Sequence, residues 1–435
     1  MREIVRRIDS ATPPDRDRAV DALRAFAILG VVLGHWLVTA LVADSGTLRG
    51  SSPLRYMPRL APISWVFQTL AVFFLVGGQV GAKSYASARA RGTTYGQWLG
   101  TRMARLFRPV AVVLVVWATA TGAMLASGVG FETVRTLDRL ILSPLWFLLV
   151  FAALTAATPL VTRLHPLWPL AVVLHVDLLR FGPTGTGTDG TGSGSSSGGP
   201  VGTVRPDWLD QLGGSPHWLG WLNVAAGWLV PYCLGALWAR RGVPGRRTGW
   251  ALLVGGGTAT ALLILFAGYP ASMVGVPGAG ISNLDPPTLA AVTFGLAQCG
   301  AALLLLGPLR RWLVRPGAWA AVALLNLSAM TVFLWHQTAM IAVTALGLWA
   351  GGALPGLHTV PDGTGWVLAR LCWLPVFAVA LLVCWAAFRT YERGRPRSNE
   401  RELPRQHGEG RPRQPCRAVG EGRPAPEAEA EARRA

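Results

Sequence analysis

Two residues in the first apolar stretch of the chain are of the types that carry proton and charge chemistry. Arg24 and His35 lie in "DALRAFAILGVVLGHW", residues 21–36, where Asp21 is the only other ionisable residue. They are eleven positions apart. At about 100° per residue that is close to three whole turns, so both occupy one helix face, about 16 Å apart along the axis. A histidine titrates near neutrality and can accept or donate a proton, and a guanidinium can hold an anion. Two plainer readings exist: an arginine snorkelling to the membrane surface, and a histidine hydrogen-bonded to a neighbouring helix. Asp21, three residues before Arg24, can simply pair with it. An ionisable side chain inside a membrane span is nevertheless a functional hypothesis by default. The common face favours a shared polar path through a helical bundle.

His336 is a second histidine set in the middle of an apolar stretch, with Asn326, Ser328 and Thr331 on the same segment. Its plain reading is an interhelical hydrogen bond. Trp146 can line a channel or merely pack. His165, His217 and His358 fall in loops or at span ends and read as surface groups, whereas His175 and Asp177 read as buried and paired between helices. The five cysteines are scattered without CxxC or metal-ligand spacing, so neither a disulfide framework nor a metal site is expected. No HExxH, Walker or GxGxxG pattern stands in a setting that gives it meaning.

The elements that must position these residues are membrane helices. The chain is 51% hydrophobic and only 14% charged, where a soluble protein is about a quarter charged. Its polar residues cluster, leaving apolar blocks of the roughly twenty residues needed to cross a bilayer. Lipid cannot satisfy an open backbone, so these blocks are helical. The expected fold is an all-α polytopic membrane protein of about ten spans, near 20–42, 62–81, 109–128, 140–161, 166–181, 218–239, 248–268, 288–307, 319–349 and 364–388. The fifth is short and carries His175, Asp177 and Arg180.

Charge supports that count. With the N-terminus inside, the cytoplasmic connections hold Lys83, Arg89, Arg91, Arg102, Arg105, Arg108, Arg163, Arg240, Arg241, Arg246, Arg247, Arg310, Arg311 and Arg315. The other side holds Arg49, Arg55, Arg59, Arg135, Arg139 and Arg205. This asymmetry follows the positive-inside rule, puts both termini in the cytoplasm, and is lost if the fifth span is dropped. The net charge of +18 is therefore a topology signal; with no basic stripe on a soluble domain, nucleic acid is not an expected partner. Residues 1–19 form a basic N-terminus, 20–393 the transmembrane domain, and 394–435 a disordered cytoplasmic tail. Within the domain, 182–203 reads as a flexible Gly/Ser/Thr linker on the outer face. The expected location is the plasma membrane.

Several motifs resemble those of the membrane-bound acyltransferase 3 family. Arg24 and His35 match its first-span pattern of Arg, ten residues, then His. "FFLVGG" (73–78), "RMARLFRP" (102–109), "PLWFL" (144–148), "SNLDPPTL" (282–289) and "NLSAMTVFLWH" (326–336) follow in the family's order, so the likeness covers about residues 15–393. The resemblance implies transfer of an acyl group, acetyl by default, from cytoplasmic acyl-CoA to a hydroxyl. The acceptor would be a carbohydrate, glycolipid or glycosylated metabolite presented at the membrane. It further implies that Arg102, Arg105 and Arg108 meet the phosphates of acyl-CoA at the cytoplasmic mouth, Arg being suited to bidentate phosphate contact. The alternative is a topology signal and anionic lipid headgroups. On the same basis Arg24 holds a pyrophosphate or thioester-side group, or orients the path by charge. His35 is the general base or the nucleophile that carries the acyl group. His336 serves the acceptor site or oxyanion, and Trp146, Asn326 and Ser328 line the channel. No metal is implied.

A transporter or flippase of a lipid-linked or small molecule is the main alternative, since intramembrane charges suit it equally. No half-and-half repeat of interrupted spans is visible in its favour. A membrane scaffold gives no reason for the polar pair in the first span.

Overall fold

The computed structural model describes residues 2–14, 16–181, 217–276 and 282–392. The linker at 182–203 and the tail at 394–435 lie outside the described residues. The chain opens with α1 (Arg2–Ser10) and α2 (Arg18–Val38), a hairpin of β1 (Ala40–Asp44) and β2 (Thr47–Ser51), and two helical turns, α3 (Pro53–Tyr56) and α4 (Ala61–Ser64). There follow α5 (Leu70–Ala90), α6 (Tyr95–Ala126), α7 (Phe131–Leu142), α8 (Leu145–Ala156), α9 (Thr158–Val161) and α10 (Leu167–Phe181). The C-terminal part holds α11 (His217–Arg241), α12 (Arg246–Phe266), α13 (Leu289–Trp312), α14 (Pro316–Leu327), α15 (Ala329–Trp349) and α16 (Thr364–Glu392).

Among the described residues, nine helices are long and apolar enough to cross a membrane. The expected fifth span is present as α10, but its 15 residues reach only about 22 Å, short of a hydrocarbon core of about 30 Å. The expected span 319–349 is two helices, broken at Ser328, which caps α14 and opens α15. Arg102, Arg105 and Arg108, expected in a connection, stand on the long helix α6, opened by a capping box between Thr94 and Gln97.

The first span ends four residues before its expected limit, at Val38, because residues 40–51 turn back as the hairpin. Its two-residue turn, Ser45 and Gly46, has φ of 48° and 81°, the positive pair that a type I′ hairpin requires. The sequence reading contained no strand here. The amide of Ala43 donates to the carbonyl of His358 at 2.9 Å, so the hairpin is tied to the segment between α15 and α16.

The helix α2 is central, touching α5, α13, α14, α15 and α16. Asp17 caps its start by accepting from the amide of Ala19 at 3.2 Å, and also accepts from Arg310 at 2.6 Å. The tightest packing joins α5 to α11. A side chain at Gly78 would run into the backbone carbonyl of Tyr232, and one at Gly235 into that of Leu75. Small residues here let two backbones come close, the usual basis of helix association in lipid. At the rim, α12 packs on α13 and turns Leu265 and Phe266 outward, as a lipid-facing helix should.

Candidate active site

The face of α2 that carries Arg24 and His35 points into the bundle and has a polar cluster at each end. At the N-terminal end, Asp21 binds two arginines, accepting from Arg16 at 2.6 Å and from Arg24 at 2.9 Å. The Nε of Arg24 donates to Oδ1 of Asn326 at 2.6 Å, and the Asn326 amide donates to the carbonyl of Asp21 at 2.8 Å. Asn326 therefore locks the orientation of Arg24 rather than standing alone, and the last turn of α14 positions it.

Arg102 comes to this same end from α6. It is half-buried, stacks over Trp98 at 5.2 Å, and lies within charge–charge range of Arg24 and Arg105. Like charges gathered in a partly buried place repel each other, and the strain is relieved when an anion binds. Arg105 is exposed beside it; Arg108 is exposed about 120° around the helix from Arg102.

At the other end of the face, His35 meets His336 of α15. Their ring centroids are 5.1 Å apart, and His336 is fully buried. The Nδ1 of His336 contacts the carbonyl of Phe333 at 2.5 Å, and the Trp36 indole N–H donates to the carbonyl of His336 at 3.0 Å. The Gln337 amide donates to Nδ1 of His35 at 3.0 Å. Two buried polar atoms here have no hydrogen-bond partner, Nε2 of His336 and Oε1 of Gln337. Buried polar groups are nearly always satisfied, so each such vacancy calls for an explanation.

Between the two ends, α2 presents Ile28 and Val31, which belong to the largest apolar cluster. Aromatic rings complete the wall: Phe147 lies 5.5 Å from Phe333, and Phe333 lies 5.9 Å from His336. Trp146 joins it, 6.3 Å from Trp228. Ser328 lies at the α14–α15 break, where it accepts from Trp385 at 2.7 Å.

Sequence reasoning missed two site residues. Gln337 was overshadowed by its neighbour, although a lone amide in an apolar span is itself a signal. Arg370, on the last span, is 1% exposed. It donates to the carbonyls of Trp36 at 2.6 Å, Thr39 at 2.7 Å and Gly356 at 2.9 Å, and lies over the Phe377 ring at 4.7 Å. Trp36 and Thr39 belong to the end of α2, whose carbonyls lack helical partners, so Arg370 caps the helix that carries His35.

Other expectations need correction. His358 is not a surface group: it is 1% exposed, accepting from the amide of Leu354 at 3.0 Å and donating to the carbonyl of Thr344 at 2.8 Å. His175 is exposed on α10, whereas Asp177, two positions on and about 200° around the helix, is buried. Asp177 accepts from Asn223 at 2.9 Å, Tyr269 at 3.0 Å and the amide of Leu289 at 2.6 Å. These three hydrogen bonds tie the short α10 to α11, to the segment after α12 and to the start of α13. Among the described residues, no group of His, Cys, Asp and Glu could hold a metal.

An apolar helical bundle whose α2 turns inward a face with guanidinium at one end and imidazole at the other defines a multi-pass membrane protein with polar groups set inside the bundle. The family model Acyl_transf_3, described as an acyltransferase domain, matches residues 17–395. The chain belongs to this acyltransferase 3 family and is an acyltransferase. The match begins at Asp17, the residue that caps α2. No curated protein and no solved structure matches the chain.

Proposed function

We propose that the protein is an O-acyltransferase that moves an acyl group, acetyl by default, from acyl-CoA to a hydroxyl of a carbohydrate, glycolipid or glycosylated metabolite at the plasma membrane. The observation that carries this reading is the division of one helix face. Arg24 and Arg102 gather cationic charge at one end, and the His35 and His336 rings meet at the other. Acyl-CoA has the same polarity, with phosphates at its nucleotide end and an uncharged thioester at the far end of the arm. Arg24, Arg102 and Arg105 would hold the phosphates at the cytoplasmic mouth, with Arg108 outside the cluster. The apolar and aromatic wall, Trp146 included, would enclose the arm and exclude water, and the histidine pair would activate the acceptor hydroxyl at the thioester. The orientation with both termini in the cytoplasm rests on the arginine asymmetry of the connections.

The test uses the full-length protein in lipid nanodiscs with acyl-labelled CoA. Wild type should release or transfer the label, and His35→Ala should reduce this to the uncatalysed rate while eluting as a folded particle. Wild-type rates in His35→Ala would sink the assignment. Transport of a lipid-linked substrate without label release would favour the transporter reading instead.

A further inference from the structure

We infer that the two histidines are held in opposite tautomers by fixed partners, so that His336 is the general base and His35 the hydrogen-bond donor, with Gln337 as the residue that positions His35. The inference rests on the acyl-transfer reading above and assigns the roles within it.

The tautomers follow from what each partner can do. A backbone carbonyl only accepts, so the 2.5 Å contact between Phe333 O and His336 Nδ1 requires the proton of His336 on Nδ1. Its Nε2 then carries a lone pair, and this atom is buried without a partner. An amide nitrogen only donates, so the 3.0 Å contact from Gln337 Nε2 requires His35 Nδ1 to accept. His35 then carries its proton on Nε2. The other end of the Gln337 amide, Oε1, is also buried and unpartnered. Both vacancies are therefore acceptors, and both belong to groups flanking the His35 ring. A pair of orphaned acceptors is a demand for a donor, which a substrate hydroxyl supplies.

In this arrangement the acceptor oxygen forms its bond to the acyl carbon as its proton passes to His336 Nε2. The carbonyl oxygen gains charge against the Nε2–H of His35, which hydrogen-bonds to it without giving up its proton. The carbon–sulfur bond then breaks, and the proton on His336 Nε2 goes to the departing sulfur. No acyl-histidine forms. The Phe333 carbonyl orients the base as second partners commonly do in nucleophile–base–orienter sets.

An acceptor that needs no base separates the two roles. Full-length protein in nanodiscs is given acetyl-labelled CoA, with either water or hydroxylamine as acceptor, above the uncatalysed rates. His336→Ala and His336→Gln should lose hydrolysis by about 100-fold or more but regain transfer to hydroxylamine to within about tenfold of wild type. His35→Ala should regain nothing. Rescue of His35→Ala, or failure to rescue both His336 variants, overturns the assignment. Nitrogen-15 spectra of labelled histidine provide a readout independent of turnover. Wild type should show His35 protonated at Nε2 and His336 at Nδ1. Gln337→Glu should move the His35 proton to Nδ1 and leave His336 unchanged, because a carboxylate accepts where the amide donated. Matching tautomers in wild type, or no change in His35 with Gln337→Glu, also overturns it. Wild type inert toward acetyl-CoA but with these spectra would instead count against the donor reading alone.

Discussion

Arg24 shows how a side chain legible by type is given its meaning by neighbours that are not. Its spacing from His35 placed both on one face, but Asn326 and Asp21 fix which way its guanidinium points. Arg102→Ala should raise the KM for the acyl donor about 10- to 100-fold with little change in kcat, as expected for one charge-assisted contact of about 1.5–3 kcal/mol. Arg108→Ala, off the cluster, should change KM less than about threefold. Steady-state kinetics on the two variants checks both, and equal effects would put the phosphate site elsewhere. Asn326→Ala should give a smaller rise than Arg24→Ala, since it loosens the guanidinium without removing it.

The helix α2 has its two ends fixed by opposite means, a carboxylate cap at Asp17 and a buried cation at Arg370. The second is unusual in having three carbonyls and no carboxylate for partners. Replacing Arg370 by Met keeps much of the volume but strands the carbonyls of Trp36, Thr39 and Gly356. Each stranded group costs about 1–3 kcal/mol, partly offset because a buried charge is also removed. Arg370→Met should therefore lower the thermal midpoint in detergent and depress kcat more than KM, since the displaced end of α2 carries His35. An unchanged midpoint would mean that this end of the helix is held some other way. The break at Ser328 belongs to the same scale, because it lets α14 aim Asn326 at Arg24 while α15 aims His336 at His35.

Across the whole molecule, the bundle is assembled by close contact as much as by polar pairing. Gly78 and Gly235 let α5 and α11 approach until backbone meets backbone, and this interface supports the aromatic wall through Phe74 and Trp228, stacked at 5.1 Å. Gly78→Leu should prevent assembly, seen as loss of the monodisperse peak in fluorescence-detected size exclusion, whereas Gly122→Ala, on α6 with nothing within 4 Å of an added Cβ, should remain monodisperse. The Asp177 network does for α10 what length does for the long membrane helices such as α2 and α13, holding in place an element too short to rely on the bilayer alone.

Apolar block length and charge placement by themselves determined the membrane class, the helical architecture and the positions of most spans, because lipid leaves the backbone few choices. The spacing of Arg24 and His35 likewise fixed a shared face, since helical geometry is local. Only the tertiary structure decided that Arg102 joins Arg24, that His336 meets His35, that Gln337 bonds His35 and that Arg370 caps α2, because those pairings join segments far apart in the chain, up to 334 residues for Arg370 and Trp36, and no local period encodes them. The hairpin after α2 is local by contrast, paired across the Ser45–Gly46 turn, and only its tie from Ala43 to the carbonyl of His358 depends on a distant segment.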